Sequence, residues 1–151
     1  MTNSKMTNER GLTIIEVLIV ISIVAVIGSS FISLSINFLT SNNLKNITDE
    51  LISALRTAQA NSMYGKGGSN WGVKISESKI FLYKGNSYEG RDQAFDHSSD
   101  IPSNITIIQE EDIFFFRRTG TPSATPDITI QTQTGDTNTV SVNGAGAVNV
   151  N

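Results

Sequence analysis

From Leu12 to about Leu39 the chain is predominantly apolar and carries a single charge, Glu16. A helix made of this stretch is hydrophobic nearly all round, and such a helix has to be buried in lipid or among other helices. About 20 apolar residues suffice to cross a bilayer as a helix, and this run is longer. A secretory signal has a shorter apolar core followed by a small-residue cleavage site. No such site follows here before the sequence turns polar. A plain anchor accounts for the length but leaves Glu16 unexplained. An ionisable group inside an apolar span is costly and marks a functional position with a partner.

Lys5 and Arg10 precede the run, and the next basic residue is Lys45. The positive-inside rule therefore keeps the N-terminus cytoplasmic and sends the bulk of the chain across the membrane. The order Arg10-Gly11-Leu12-Thr13-Ile14-Ile15-Glu16, followed by a long apolar helix, resembles the type IV prepilin N-terminus. The resemblance implies that residues 1–11 are a leader and that a prepilin peptidase cuts between Gly11 and Leu12. It implies further that Leu12 is N-methylated and that Glu16, as the fifth mature residue, serves assembly. The family usually has Phe where this chain has Leu12. The expected localisation is a single-pass inner membrane protein, with the rest of the chain periplasmic or extracellular, and a pilus or pseudopilus after assembly. The expected partners are other pilin or pseudopilin subunits, the peptidase, an inner-membrane assembly platform and the membrane itself.

The chemistry is consistent with that implication. A cut before Leu12 leaves a free amine at a helix start, where the macrodipole already carries partial positive charge and favours a nearby carboxylate. The i, i+4 spacing puts the Leu12 amine and Glu16 on one face. Buried in lipid or a fibre, Glu16 would have to pair with an amine, its own or a neighbour's. The alternative is a Glu at headgroup level with no role. Gly28, Ser29, Ser30, Ser33 and Ser35 are small residues of the kind that let helices approach closely in lipid.

Beyond Thr40 the pattern changes. Leu44, Ile47, Leu51, Leu55 and Ala58 recur at spacings of three or four, the mark of an amphipathic helix over 40–64. No Pro or Gly lies between Phe31 and Tyr64, so the apolar segment 12–39 and the amphipathic one are expected to form one helix. Gly65, Gly67 and Gly68 end it. Residues 65–151 then read as strands. A hairpin is expected at 71–76 and 79–84 around Glu77-Ser78, and a polar loop at 85–104. Further strands are expected at 105–109, at 113–117 with Phe114 and Phe116 inward, and at 128–133, 139–142 and 147–150. The fold class is therefore α+β: a long N-terminal helix, transmembrane in one half and amphipathic in the other, packed on a small antiparallel β-sheet ectodomain. There is no cysteine to staple it.

This second half resembles the ectodomain of pseudopilins of the type II secretion H-subunit group and related minor pilins. The resemblance rests on Arg56 to Ser62 leading into Trp71-Gly72-Val73, on Ile113-Phe114-Phe115-Phe116 with a downstream Gly120, and on Val140-Ser141-Val142-Asn143-Gly144. It implies a structural subunit of a type IV pilus or a type II secretion pseudopilus.

Other chemistry is poorly represented. Asp92, Asp96 and Asp100 flank the only histidine, His97, and offer oxygen ligands of the kind calcium takes. The spacing and turn glycine of an EF-hand are absent, so no metal is expected. There is no nucleophile-elbow motif for Ser98 or any other serine, and Gly65-Lys66-Gly67-Gly68 is not a phosphate loop. No enzyme activity and no cofactor are expected. Arg117 and Arg118 abut a Phe run, a combination that can hold single-stranded nucleic acid through phosphate contacts and stacking. This supports an alternative, a DNA-binding minor pilin used in uptake. Glu110, Glu111 and Asp112 immediately precede the run, and the formal net charge is -3, so nucleic acid is not the expected partner. A third reading is an anchored protein that never assembles.

Overall fold

The computed structural model describes residues 13–151, and of residues 29–39 it describes the backbone alone. The chain divides into two compact units, 1–38 and 39–151. Helix α1 is assigned over Ile14–Met63.

In the second unit, the helix buries Leu44, Ile47, Leu51, Ala54, Leu55 and Ala58 along one face. The spacing read from the sequence is thus the spacing of the core. Two polar residues on this face are satisfied locally. Thr48 Oγ1 donates to Leu44 O and accepts from Asn138 Nδ2, and Ser62 Oγ accepts from Trp71 N at 2.8 Å. The helix closes on Gly65, whose φ of 64° is the left-handed conformation that a C-terminal glycine supplies without steric cost.

Eight strands follow: β1 Trp71–Ile75, β2 Lys79–Lys84, β3 His97–Asp100, β4 Ile105–Ile107, β5 Glu111–Phe115, β6 Asp127–Thr132, β7 Thr137–Val142 and β8 Val148–Val150. They form two antiparallel four-stranded sheets, ordered β3-β2-β1-β5 and β4-β6-β7-β8, where a single small sheet was expected. The helix face and both sheets share one apolar core. It includes Trp71, Val73, Ile75, Ile113 and Phe115 from the first sheet, and Ile128, Ile130, Val140 and Val142 from the second.

Two expectations need correction. His97–Asp100, expected within a polar loop, is strand β3, paired to β2 with Leu82 opposite His97 and Lys79 opposite Asp100. Its four residues are all polar, so no alternation marks them. Phe114 and Phe116 do not face the core; Ile113 and Phe115 do, each fully buried. A one-residue offset in a strand exchanges the two faces. The pairing of Val73 with Ile113 and Trp71 with Phe115 fixes which face is inward. Phe114 and Phe116 instead stack edge to face on each other, 5.2 Å between ring centres.

The outer face of the first sheet carries its own small aromatic cluster. Tyr83 lies over Gly72, where a Cβ would come within 2.5 Å of the phenol. Tyr83 Oη donates to Asp112, and the other Asp112 oxygen accepts from Tyr88 N at 3.1 Å. Burial, and then the bond to Asp112, push the Tyr83 phenol far above its ordinary value of 10.0. The folded state therefore holds this proton where the unfolded chain would release it. Stability is unaffected below the unfolded value and falls as pH rises above about 10. Tyr83→Phe should reduce that alkaline loss relative to the parent, as read from unfolding midpoints compared at about pH 9 and about pH 11.

Candidate functional site

The described part of the first unit is an apolar helix with a largely exposed surface. Ile14, Ile15, Val17, Leu18 and the apolar residues through Ile27 are exposed, Ile14 to 84%. Ser22 Oγ donates to Leu18 O at 2.7 Å, which satisfies the one hydroxyl among them as a helix in lipid requires. Among the described residues nothing lies within 4 Å of a Cβ built at Gly28. Among the described residues no helix is long and apolar enough to cross a membrane. The expected span extends through 29–39, whose side chains lie outside the description.

At the start of this helix Thr13 acts as the cap. Glu16 N donates to Thr13 O at 3.1 Å and to Thr13 Oγ1 at 3.4 Å, and Val17 N donates to Thr13 O. Thr13-Ile14-Ile15-Glu16 has the spacing of a capping box, in which the fourth residue's carboxylate sits over the first turn. Thr13 is a functional candidate missed in the sequence reading, although the Thr-x-x-Glu pattern was there to find it. Glu16 is solvent-exposed in the single chain. Gly11 and Leu12, the expected cleavage and methylation positions, lie outside the described residues.

The three aspartates around His97 do not converge. Asp92 faces Lys84 at 3.2 Å, Asp96 faces Arg91 at 2.7 Å, and Asp100 faces Lys79 at 2.9 Å. Each carboxylate is neutralised by its own cation on a different part of the first sheet or its following loop. The Asp96 carboxylate in turn raises the already high pKa of the Arg91 guanidinium.

Arg117 and Arg118 lie just past β5, beside the end of α1. Arg117 N donates to Asn70 Oδ1 at 2.6 Å, and its Nη1 donates to Gly68 O at 3.0 Å. This arginine therefore fastens the glycine-rich turn after the helix. Arg118 has φ 71°, and its N–H donates to Ser62 O at 2.9 Å, capping one of the last helical carbonyls. Gly120 closes the same turn against Met63, where a Cβ would lie 2.5 Å from Met63 Cγ. Met63 and Phe116 beside it are exposed, as is Tyr64, which follows Met63 in the chain and is 87% exposed.

The chain thus joins an apolar helix with one early carboxylate to a second helical portion that carries two antiparallel sheets on its apolar face. Residues 6–32 match the prokaryotic N-terminal methylation motif. The fold is similar to that of the minor pseudopilin EpsH from the Type 2 Secretion System of Vibrio cholerae, with a TM-score of 0.55 at 10% identity. The match covers 72% of this chain and 96% of that one. No curated protein matches the sequence.

Proposed function

We propose that the chain is a structural, non-enzymatic subunit, a minor pilin or pseudopilin of a type IV pilus or a type II secretion pseudopilus. The observation that carries this reading is the coincidence on one chain of the methylation motif at 6–32 and an EpsH-like fold. The exposed, self-satisfied apolar helix supports it, because such a surface needs lipid or other helices around it. In this reading a prepilin peptidase cuts between Gly11 and Leu12, and Leu12 is N-methylated. The helix holds the subunit in the inner membrane with its ectodomain outside the cytoplasm. An assembly platform then moves it into a fibre among other pilin-type subunits, with Glu16 accepting the amine of Leu12 on its own or a neighbouring chain.

Processing is the direct test. In a host with a prepilin peptidase, intact mass and N-terminal peptide spectra should give a chain that begins at methylated Leu12. Gly11→Ala should leave most of the chain uncut. A mature chain retaining residues 1–11 in that host would refute the reading.

A further inference from the structure

The ectodomain is electrically lopsided along its first sheet. Trp71, Lys84 and Phe115 stand at one end of β1, β2 and β5, and Ile75, Ile80 and Glu111 at the other. At the first end the helix terminates. The segments that meet there, 59–72, 114–123 and 143–147, contain Lys66, Arg117 and Arg118 and no Asp or Glu. The 85–96 loop, tied to the same end by Gly85 N–H on Asn70 O and by Phe95 on Trp71, adds Glu89, Asp92 and Asp96, with Asp92 held by Lys84 and Asp96 by Arg91. Lys66 sits over the Trp71 ring, 5.3 Å from its centre, and among the described residues none of these three cations faces an acid. Their neighbours are the exposed Met63, Tyr64 and Phe116.

The other end has the opposite character. Glu77 in the β1–β2 turn, Asp100 at the close of β3, and Glu110 and Glu111 at the start of β5 gather there. Among the described residues, the ion pairs there are Lys74 with Glu110 at 3.6 Å and Lys79 with Asp100 at 2.9 Å. Ile108, exposed to 55%, precedes these last two acids. One end thus offers cations with an aromatic and aliphatic patch. The other offers an excess of acids with an exposed isoleucine.

We propose that Lys66, Arg117 and Arg118, with Met63, Tyr64 and Phe116, form a docking surface for the Glu77, Glu110 and Glu111 end of a second copy of this chain, set head to tail. The partner follows from the charges, since a copy displaced along the strands brings the uncompensated signs together. Such a contact joins two different patches, and an unclosed heterologous contact propagates as a filament. The inference rests on the subunit reading above and names the surface through which ectodomains would meet. A nucleic acid fits less well, because Arg117 is already committed to Gly68 O and so few cations neutralise few phosphates.

The chain has no cysteine, which permits a clean crosslinking test on the full-length protein in membranes. Two differently tagged copies carry Thr119→Cys and Gln109→Cys, both exposed positions that leave the charged residues in place. Mild oxidation should give the mixed 119–109 disulfide in preference to either symmetric dimer. Lys66→Glu with Arg118→Glu in the Thr119→Cys copy should lower its yield about five- to tenfold, the order expected for two exposed charge pairs at low salt. Glu110→Lys with Glu111→Lys in the other copy should restore it, and added salt should weaken the parental crosslink.

A dominant symmetric dimer, or a mixed crosslink indifferent to charge reversal, would overturn the proposal. So would salt-sensitive binding of a single-stranded oligonucleotide that Lys66→Glu and Arg118→Glu abolish, without copy-to-copy crosslinking. Processing at Leu12 and co-purification with sheared fibres are scored in the same cells. If both persist while the mixed crosslink is absent, the docking surface is wrong and the subunit reading stands. If fibre association is also missing, the subunit reading itself has failed.

Discussion

Glu16→Gln is expected to leave the chain in the membrane and to keep it out of the fibre. The substitution preserves shape and removes charge, so insertion of the apolar helix should be equal or slightly easier. Glu16 is exposed in the single chain, and Thr13 rather than the carboxylate caps the helix through its backbone and hydroxyl oxygens. The helix should therefore still form. What is lost is the acid that would neutralise a Leu12 amine once both are enclosed among packed helices. Breaking a buried ion pair by removing one partner costs roughly 3–5 kcal/mol, enough to exclude a subunit that competes for its place. Comparing parent and variant at equal membrane levels in sheared-fibre fractions would decide the matter. Equal entry would make Glu16 a bystander.

The second large effect is on folding. Phe115→Ala should destabilise the ectodomain by about 3–5 kcal/mol, the usual cost of emptying a buried phenylalanine site. That is a large share of the roughly 5–15 kcal/mol that holds a domain together. Phe116→Ala, one residue on and 46% exposed, should cost well under half as much, since most of its ring already meets solvent or Phe114. Denaturant midpoints of the two variants in parallel would test the register itself. If Phe116→Ala were the more damaging, the inward face of β5 would be assigned wrongly.

Much of the fold was legible because the apolar spacing does two jobs in turn. An unbroken run to about Leu39 leaves helix as the form that suits lipid, and the Leu44, Ile47, Leu51, Leu55, Ala58 series then names the face that meets the sheets. The division into two sheets was not legible, because local alternation marks strands without saying which will pair. Ile113-Phe114-Phe115-Phe116 failed for a related reason: four consecutive apolar residues carry no alternation, and only pairing with Trp71 and Val73 tells inward from outward. The all-polar β3 is held by the backbone of β2 and by Lys79 facing Asp100. Neither the charge segregation nor the role of Arg117 in fastening Gly68 is visible before distant segments meet. The prepilin-like signature, by contrast, is local and ordered, and was legible from Gly11 to Glu16.

The contacts that complete the helix's environment come from far along the chain. Asn138 bonds to Thr48 across a sequence separation of 90, and Gln59 bonds to the Ala145 carbonyl across 86. If the ectodomain is exported as proposed, the amphipathic segment leaves the membrane early, while the strands that cover it are still on the other side. Its oily stripe would then wait, unshielded, until residues near 138–145 had crossed. Closing such long loops before any contact rewards them is slow. A holding factor outside the cytoplasm, or a slackened translocation rate, should therefore govern yield more strongly than the equilibrium strength of the finished core.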